Sequence, residues 1–211
     1  MTGLEDRDTT MLWQARGRAF WRLPLCFALV FFGADVLTAS HSRRVVLHAA
    51  WELAIPYWPS AWWAYASVLA LPALCLVLLP DAAAVRRWEQ RMLLAIAIAG
   101  LGFLLLPANL AYAPVPETGR PAWVALMKML AGRHNLFPSL HVALGLLCVQ
   151  ALWAAAGTWS ARATVRVAAR AVLAAWAALL VPAVLLTQQH HVIDAVGGLA
   201  LALTLVRWGP R

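Results

Sequence analysis

Stretches of about 20 mostly apolar residues, the length an α-helix needs to cross a hydrocarbon core roughly 30 Å thick, recur six times along this chain. They fall at about 20–38, 61–80, 92–112, 138–157, 168–186 and 190–208. Each run is continuously apolar, without the polar alternation of a membrane barrel strand, so the sequence predicts helices. Composition agrees: 63% of residues are hydrophobic and 12% charged, where a soluble domain carries roughly 25% charged residues. Too little polar surface remains to face water. The expectation is an all-α polytopic membrane protein, one bundle of about six transmembrane helices over residues 1–211. No internal repeat, low-complexity tract or long linker divides it.

The polar stretch 1–18 precedes a first apolar run with no small-residue cleavage site, so that run is expected to remain as a span rather than leave as a signal peptide. Cys26, Cys75 and Cys148 each lie inside a predicted span without CxxC spacing, which suits core packing better than a disulfide or metal framework.

A formal charge of +8 raises nucleic acid as a partner, but no basic run or basic-aromatic interleaving accompanies it. The charges sort by loop instead. Arg7, Arg16, Arg18, Arg22, Arg86, Arg87, Arg91, Arg162, Arg166, Arg170, Arg207 and Arg211 fall on one side of the predicted bundle. Arg43, Arg44, Arg120, Lys128 and Arg133 fall on the other. The positive-inside rule then places both termini in the cytoplasm. Sixteen arginines against one lysine suggest a GC-rich bacterial genome, hence the inner membrane. Trp58, Trp62, Trp63, Trp88, Trp159 and Trp208 near span ends fit interfacial anchoring.

The two longest outer loops, about 39–60 with IPYWP at 55–59 and about 113–137 with APVPETGRP at 113–121, are rich in proline and aromatics. They read as ordered surface segments or a short re-entrant piece, because lipid-exposed irregular backbone is not tolerated.

All six histidines, His41, His48, His134, His141, His190 and His191, fall in outer loops or at the outer ends of spans. Asp194 follows His190 by four residues, one helical turn into the sixth span, so the two share a face. An ionisable residue inside a span is expensive and marks function by default. His141 stands in the opening turn of the fourth span, where Ser139 suits the N-cap; a helix start also offers free N–H groups to an anion. Spans four and six begin on the same side, so His141, His190 and Asp194 can meet in one outer polar pocket.

Phosphoryl transfer through histidine fits such a set. His190 is the candidate nucleophile, with Asp194 holding the proton-bearing ring nitrogen and fixing the tautomer. His141 is the candidate acid for the leaving alkoxide, then the base for the incoming water or alcohol. The loose transition state needs positive potential around its equatorial oxygens, for which Ser139, Arg120, Lys128, Arg133 and Gln188 are the candidate substrate-binding residues. This chemistry calls for no metal and no other cofactor.

With FPSLHVA at 137–143 followed about fifty residues later by TQQHHVIDAVGG at 187–198, the chain resembles the type 2 phosphatidic acid phosphatase superfamily, and within it the inositol phosphorylceramide synthase branch. The resemblance implies that His141 corresponds to the PSxH-type histidine, and His190 with Asp194 to the HxxxD pair. His191 takes a place usually held by an aromatic. IPYWPSAWWAY at 55–65 is similar to the proline-aromatic segment before the second span of that branch. Departures are specific: Ala113 stands where the first motif has lysine before the Arg120–Pro121 pair, Ala183 and Val184 replace the Ser-Arg of the third motif, and Gln188 replaces a frequent lysine. The implied activity is that of a membrane lipid phosphatase or phosphotransferase. Its substrate would be a lipid phosphate or phospholipid, and inositol or another sugar alcohol would be the acceptor if the reaction is transfer.

Two other readings compete. A metal- or haem-binding membrane protein would use His141, His190, His191 and Asp194 as ligands, although no HExxH or CxxCH spacing is present. A non-enzymatic transporter or scaffold with a degenerate site would explain the missing cations, although transporters usually carry an internal repeat.

Overall fold

The computed structural model describes residues 2–41, 44–113, 121–131 and 134–210, and among them every regular element is helical. In chain order these are α1 (Thr2–Ala39), a 3₁₀ turn (Ala50–Ala54), α2 (Ala61–Ser67), α3 (Ala70–Leu78), α4 (Ala82–Leu105), α5 (Ala122–Leu130), α6 (Leu140–Ala155), α7 (Ala163–Leu186) and α8 (Val192–Trp208). One isolated bridge pairs Val45 with Ala108.

Each predicted span coincides with helix, but the lengths differ from a uniform set of six. α1 from Arg7, α4 and α7 are long and apolar enough to cross a membrane. The second span is two helices, α2 and α3, bent by 40° at their junction. α6 and α8, with 16 and 17 residues, reach only about 24 and 26 Å at 1.5 Å per residue, short of a core of roughly 30 Å.

The third span, expected at 92–112, is displaced towards the N-terminus. Asp81 caps α4 by accepting from Ala84 N–H at 2.7 Å, so the charged stretch 82–91 continues the same helix. Pro107 ends it: Leu106, directly before a proline, is disfavoured in the helical region. The second loop expected on the outer side, at about 113–137, is partly helical, since it contains α5.

α6 is the hub, touching α3, α4, α7 and α8, while α1 lies along α4 and barely touches α3. Small residues allow these approaches: Ala95 and Ala99 of α4 and Ala143 and Cys148 of α6 are buried in the main core, as expected where close backbone contact drives association. The outward faces are apolar as well. Leu25, Leu29 and Val36 of α1, Leu101 and Leu105 of α4, Val172 and Leu179 of α7, and Val196 and Leu203 of α8 are all exposed. So much exposed apolar side chain marks an interaction with something other than water, consistent with an integral membrane protein.

Polar residues separate to the two ends. At one, Arg18 and Arg22 close on the buried Glu89 carboxylate at 2.9 and 3.1 Å. Arg16 donates to the carbonyls of Val77 and Leu79 at the end of α3, and Arg91 donates to Gln150 Oε1 and to the Pro210 carbonyl. At the other end lie His48, Glu52, His141, His190 and the start of α8.

Candidate active site

The turn between α7 and α8 is fixed by bonds that leave little freedom. Thr187 Oγ1 donates back to the Ala183 carbonyl at 2.7 Å, and Gln188 takes a left-handed backbone with φ 55°. Trp58 N–H donates to the Leu186 carbonyl at 2.8 Å. His190 and Asp194 follow. Asp194 Oδ2 accepts the His191 backbone N–H at 2.8 Å and lies 3.7 Å from His190 Nδ1, an ion-pair distance longer than a hydrogen bond. Asp194 is fully buried and His190 nearly so, and both His190 Nδ1 and Asp194 Oδ1 lack a hydrogen-bond partner.

His141 arrives from α6. Ser139 caps that helix, its Oγ accepting from Val142 N–H at 3.3 Å. His141 Nε2 lies 2.8 Å from the Tyr65 carbonyl, and a carbonyl only accepts, so that nitrogen carries a proton. Its ring stacks on Tyr65 with centroids 3.8 Å apart.

His141 and His190 share one cavity of about 480 Å³. Its remaining wall is almost entirely apolar, following α1 from Ala19 to Phe32 with contributions from α3, α4 and α6. The rise along α1 from Ala19 to Phe32 corresponds to about 20 Å. The principal polar addition is Asn135, whose Nδ2 donates to the Phe31 carbonyl at 2.5 Å while its Oδ1 is buried without a partner.

Beside this pair sits a second histidine–carboxylate contact that sequence reasoning missed. Glu52 of the 3₁₀ turn is buried. Its Oε1 accepts from Ala49 N–H at 2.9 Å and its Oε2 from Val192 N–H, the first amide of α8, at 2.7 Å. Oε2 also lies 3.5 Å from His191 Nδ1. His191 is fully buried between two rings, His48 and Tyr112, each with its centroid 4.7 Å away. Its Nε2 accepts the Ala111 backbone N–H at 3.2 Å. Tyr112 Oη donates to the His190 carbonyl at 3.3 Å; burial, reinforced by the Glu52 and Asp194 carboxylates, pushes this phenol up to about 12.

The other expected substrate contacts are dispersed. Lys128 lies in the last turn of α5, one residue from the cavity-lining Met127. Gln188 Nε2 donates to the Ile55 carbonyl at 2.9 Å, so its side chain ties two loops together. Arg120 and Arg133 lie outside the described residues. Among the described residues no three His, Cys, Asp or Glu side chains form a group able to hold a metal ion. The sequence signal for Glu52 was present, a lone acid within AAWELAIPYW, but nothing in it pointed to residue 192. Asn135 and Tyr65 gave no such signal.

No family model matches the chain, and no curated protein or solved structure does so either.

Proposed function

We propose that this protein is a membrane-embedded lipid phosphatase or phosphotransferase working through a phosphohistidine, in keeping with its resemblance to the type 2 phosphatidic acid phosphatases. The observation that carries the reading is the shared cavity: His141 and His190 border one apolar hollow, and a fully buried carboxylate lies 3.7 Å from His190 Nδ1. Such a cavity suits a molecule with a hydrocarbon chain and a reactive polar head.

Asp194 accepts a hydrogen bond from Nδ1–H of His190, which fixes the tautomer and leaves the Nε2 lone pair to attack phosphorus. The bond to the lipid oxygen breaks, and the departing alkoxide takes a proton from His141. Because Nε2–H of His141 is committed to the Tyr65 carbonyl, Nδ1 is the atom left to give and recover that proton. Water, or the hydroxyl of inositol or another sugar alcohol, then attacks the phosphohistidine, passing its proton to His141 and releasing His190. Lys128, with Arg120 and Arg133, would supply positive potential around the phosphoryl oxygens.

In the membrane, α1, the α2–α3 pair, α4, α6, α7 and α8 make six crossings. The arginine-rich end and both termini are cytoplasmic, and the histidine end faces the periplasm of a bacterial inner membrane. The short α6 and α8 place their N-termini, and hence the site, below the outer surface.

A product screen tests the reading. Purified protein is given phosphatidic acid, a prenyl pyrophosphate, or a phosphatidylinositol phosphate, with and without inositol, and is assayed for free phosphate and new lipids. Activity that persists in EDTA and is inhibited by vanadate, a mimic of five-coordinate phosphorus, supports it. Activity lost to chelator and restored by one divalent metal favours a metalloenzyme instead.

A further inference from the structure

We infer that Glu52 is a positioning residue for the His190–Asp194 pair, so that the first outer loop is part of the reaction machinery rather than a connection. The inference rests on the phosphoryl-transfer reading above.

A carboxylate buried to 4% exposure is costly unless its oxygens are satisfied. Glu52 satisfies them on two chain segments: Ala49, three residues away, and Val192, 140 residues away. The second bond places a negative charge on the positive end of the α8 dipole, so that end is already neutralised before any phosphate arrives. Asp194 caps the same turn from inside, through the His191 N–H. Residues 191 and 192 are therefore held by two different carboxylates.

His191 completes the clamp. Its Nε2 accepts from Ala111, so the neutral ring carries its proton on Nδ1, 3.5 Å from Glu52 Oε2. The stacked Tyr112 then reaches over to donate to the His190 carbonyl. Two hydrogen bonds to backbone thus hold the chain at and just after His190, Val192 N–H to Glu52 and Tyr112 Oη to the His190 carbonyl, with the His191 ring packed between them; neither Glu52 nor Tyr112 lines the cavity. The consequence is that Glu52 fixes where the His190 imidazole stands relative to Asp194 without contacting the substrate.

The test uses the full-length protein in lipid nanodiscs, with phosphatidic acid and p-nitrophenyl phosphate as probes, and measures phosphohistidine formation by rapid quench. Loss of an outer group that orients a metal-ligating histidine costs about 10–100-fold, and the same order is expected for a histidine that must be aimed at phosphorus. Glu52→Ala is therefore expected to slow phosphoenzyme formation within that range, with KM changed less than twofold and burst amplitude unchanged. Glu52→Gln, which retains one acceptor oxygen, should fall between. A Glu52→Ala rate within twofold of wild type overturns the proposal. So does a fall in burst amplitude that accounts for the whole loss, because that signals fewer folded molecules rather than misplaced histidines. If Glu52→Ala does not fold, Glu52→Gln decides: slower at full amplitude supports the role, and wild-type rate overturns it. Wild-type protein that forms no phosphoenzyme and turns over neither probe removes the phosphoryl-transfer reading and this proposal with it, a result distinct from active wild type with unaffected Glu52 variants.

Discussion

The backbone N–H of Ser139 donates to the carbonyl of Asp194 at 2.9 Å, joining the cap of α6 to the first turn of α8. This one bond brings the two sequence motifs together, because His141 follows Ser139 by two residues and His190 precedes Asp194 by four. It needs close approach. A Cβ at Gly198 would collide with the Ser139 carbonyl oxygen, so glycine at that position is what allows α8 to lie so near.

Gly198→Leu should therefore separate the motifs. Overpacking of this kind typically costs about 1–3 kcal/mol, seen as a lower midpoint of thermal unfolding in detergent. Ala200→Leu, on an exposed position of the same helix, should leave the midpoint unchanged. Equal effects from both would mean that the contact with Ser139 is not what limits packing.

His190→Ala should abolish turnover and any trapped phosphoenzyme, a loss of about a thousandfold or more for removal of a nucleophile. His191→Phe should keep most of the activity, since a ring in that slot still stacks between His48 and Tyr112. Its cost would be the unpaired Ala111 N–H, about 1–3 kcal/mol of stability. Retained activity in His190→Ala with loss in His191→Phe would move the nucleophile by one residue.

Asp194→Asn should leave the chain folded, because an amide oxygen can still accept the His191 N–H, yet reduce kcat by about 10³–10⁴-fold as the wrong imidazole tautomer is stabilised. The measurement is steady-state turnover beside a melting curve. A variant that melts normally and turns over normally would remove Asp194 from the chemistry.

His141→Ala should slow poor leaving groups most, since an activated aryl phosphate departs with little need of a proton. The expected pattern is a loss of about 10²–10⁴-fold on phosphatidic acid and a much smaller one on p-nitrophenyl phosphate. Equal losses on both would assign His141 to another step.

Cysteines introduced at Trp51 and Arg162, both exposed, should label from opposite sides of sealed vesicles with an impermeant thiol reagent. Cys75 and Cys148 are buried and Cys26 lies within α1, so native background should be low. Labelling of both sites from one side would contradict the crossing pattern proposed for the membrane.

The helices were legible in the sequence because apolar length and composition act locally: continuous runs such as 168–186 have no stable state in water and satisfy their own backbone as helix. The cap at Ser139 and the HxxxD spacing were legible for the same reason, since both depend on residues within one turn. Helix ends were read less well. Asp81 and Pro107 shifted α4 through capping and backbone restriction, effects that a hydropathy pattern does not carry.

Only the tertiary structure decided what meets at the histidine end. Glu52 reaches Val192 across 140 residues, the Tyr65 carbonyl selects the proton-bearing nitrogen of His141, and Gln188 turns to Ile55. Each outcome is set by how α2, α6, α7 and the segment between α1 and α2 pack, and buried polar groups take whichever partners that packing brings within reach. The sequence alone therefore named His141, His190 and Asp194 by spacing, whereas the surroundings that would tune them exist only once distant segments are in contact.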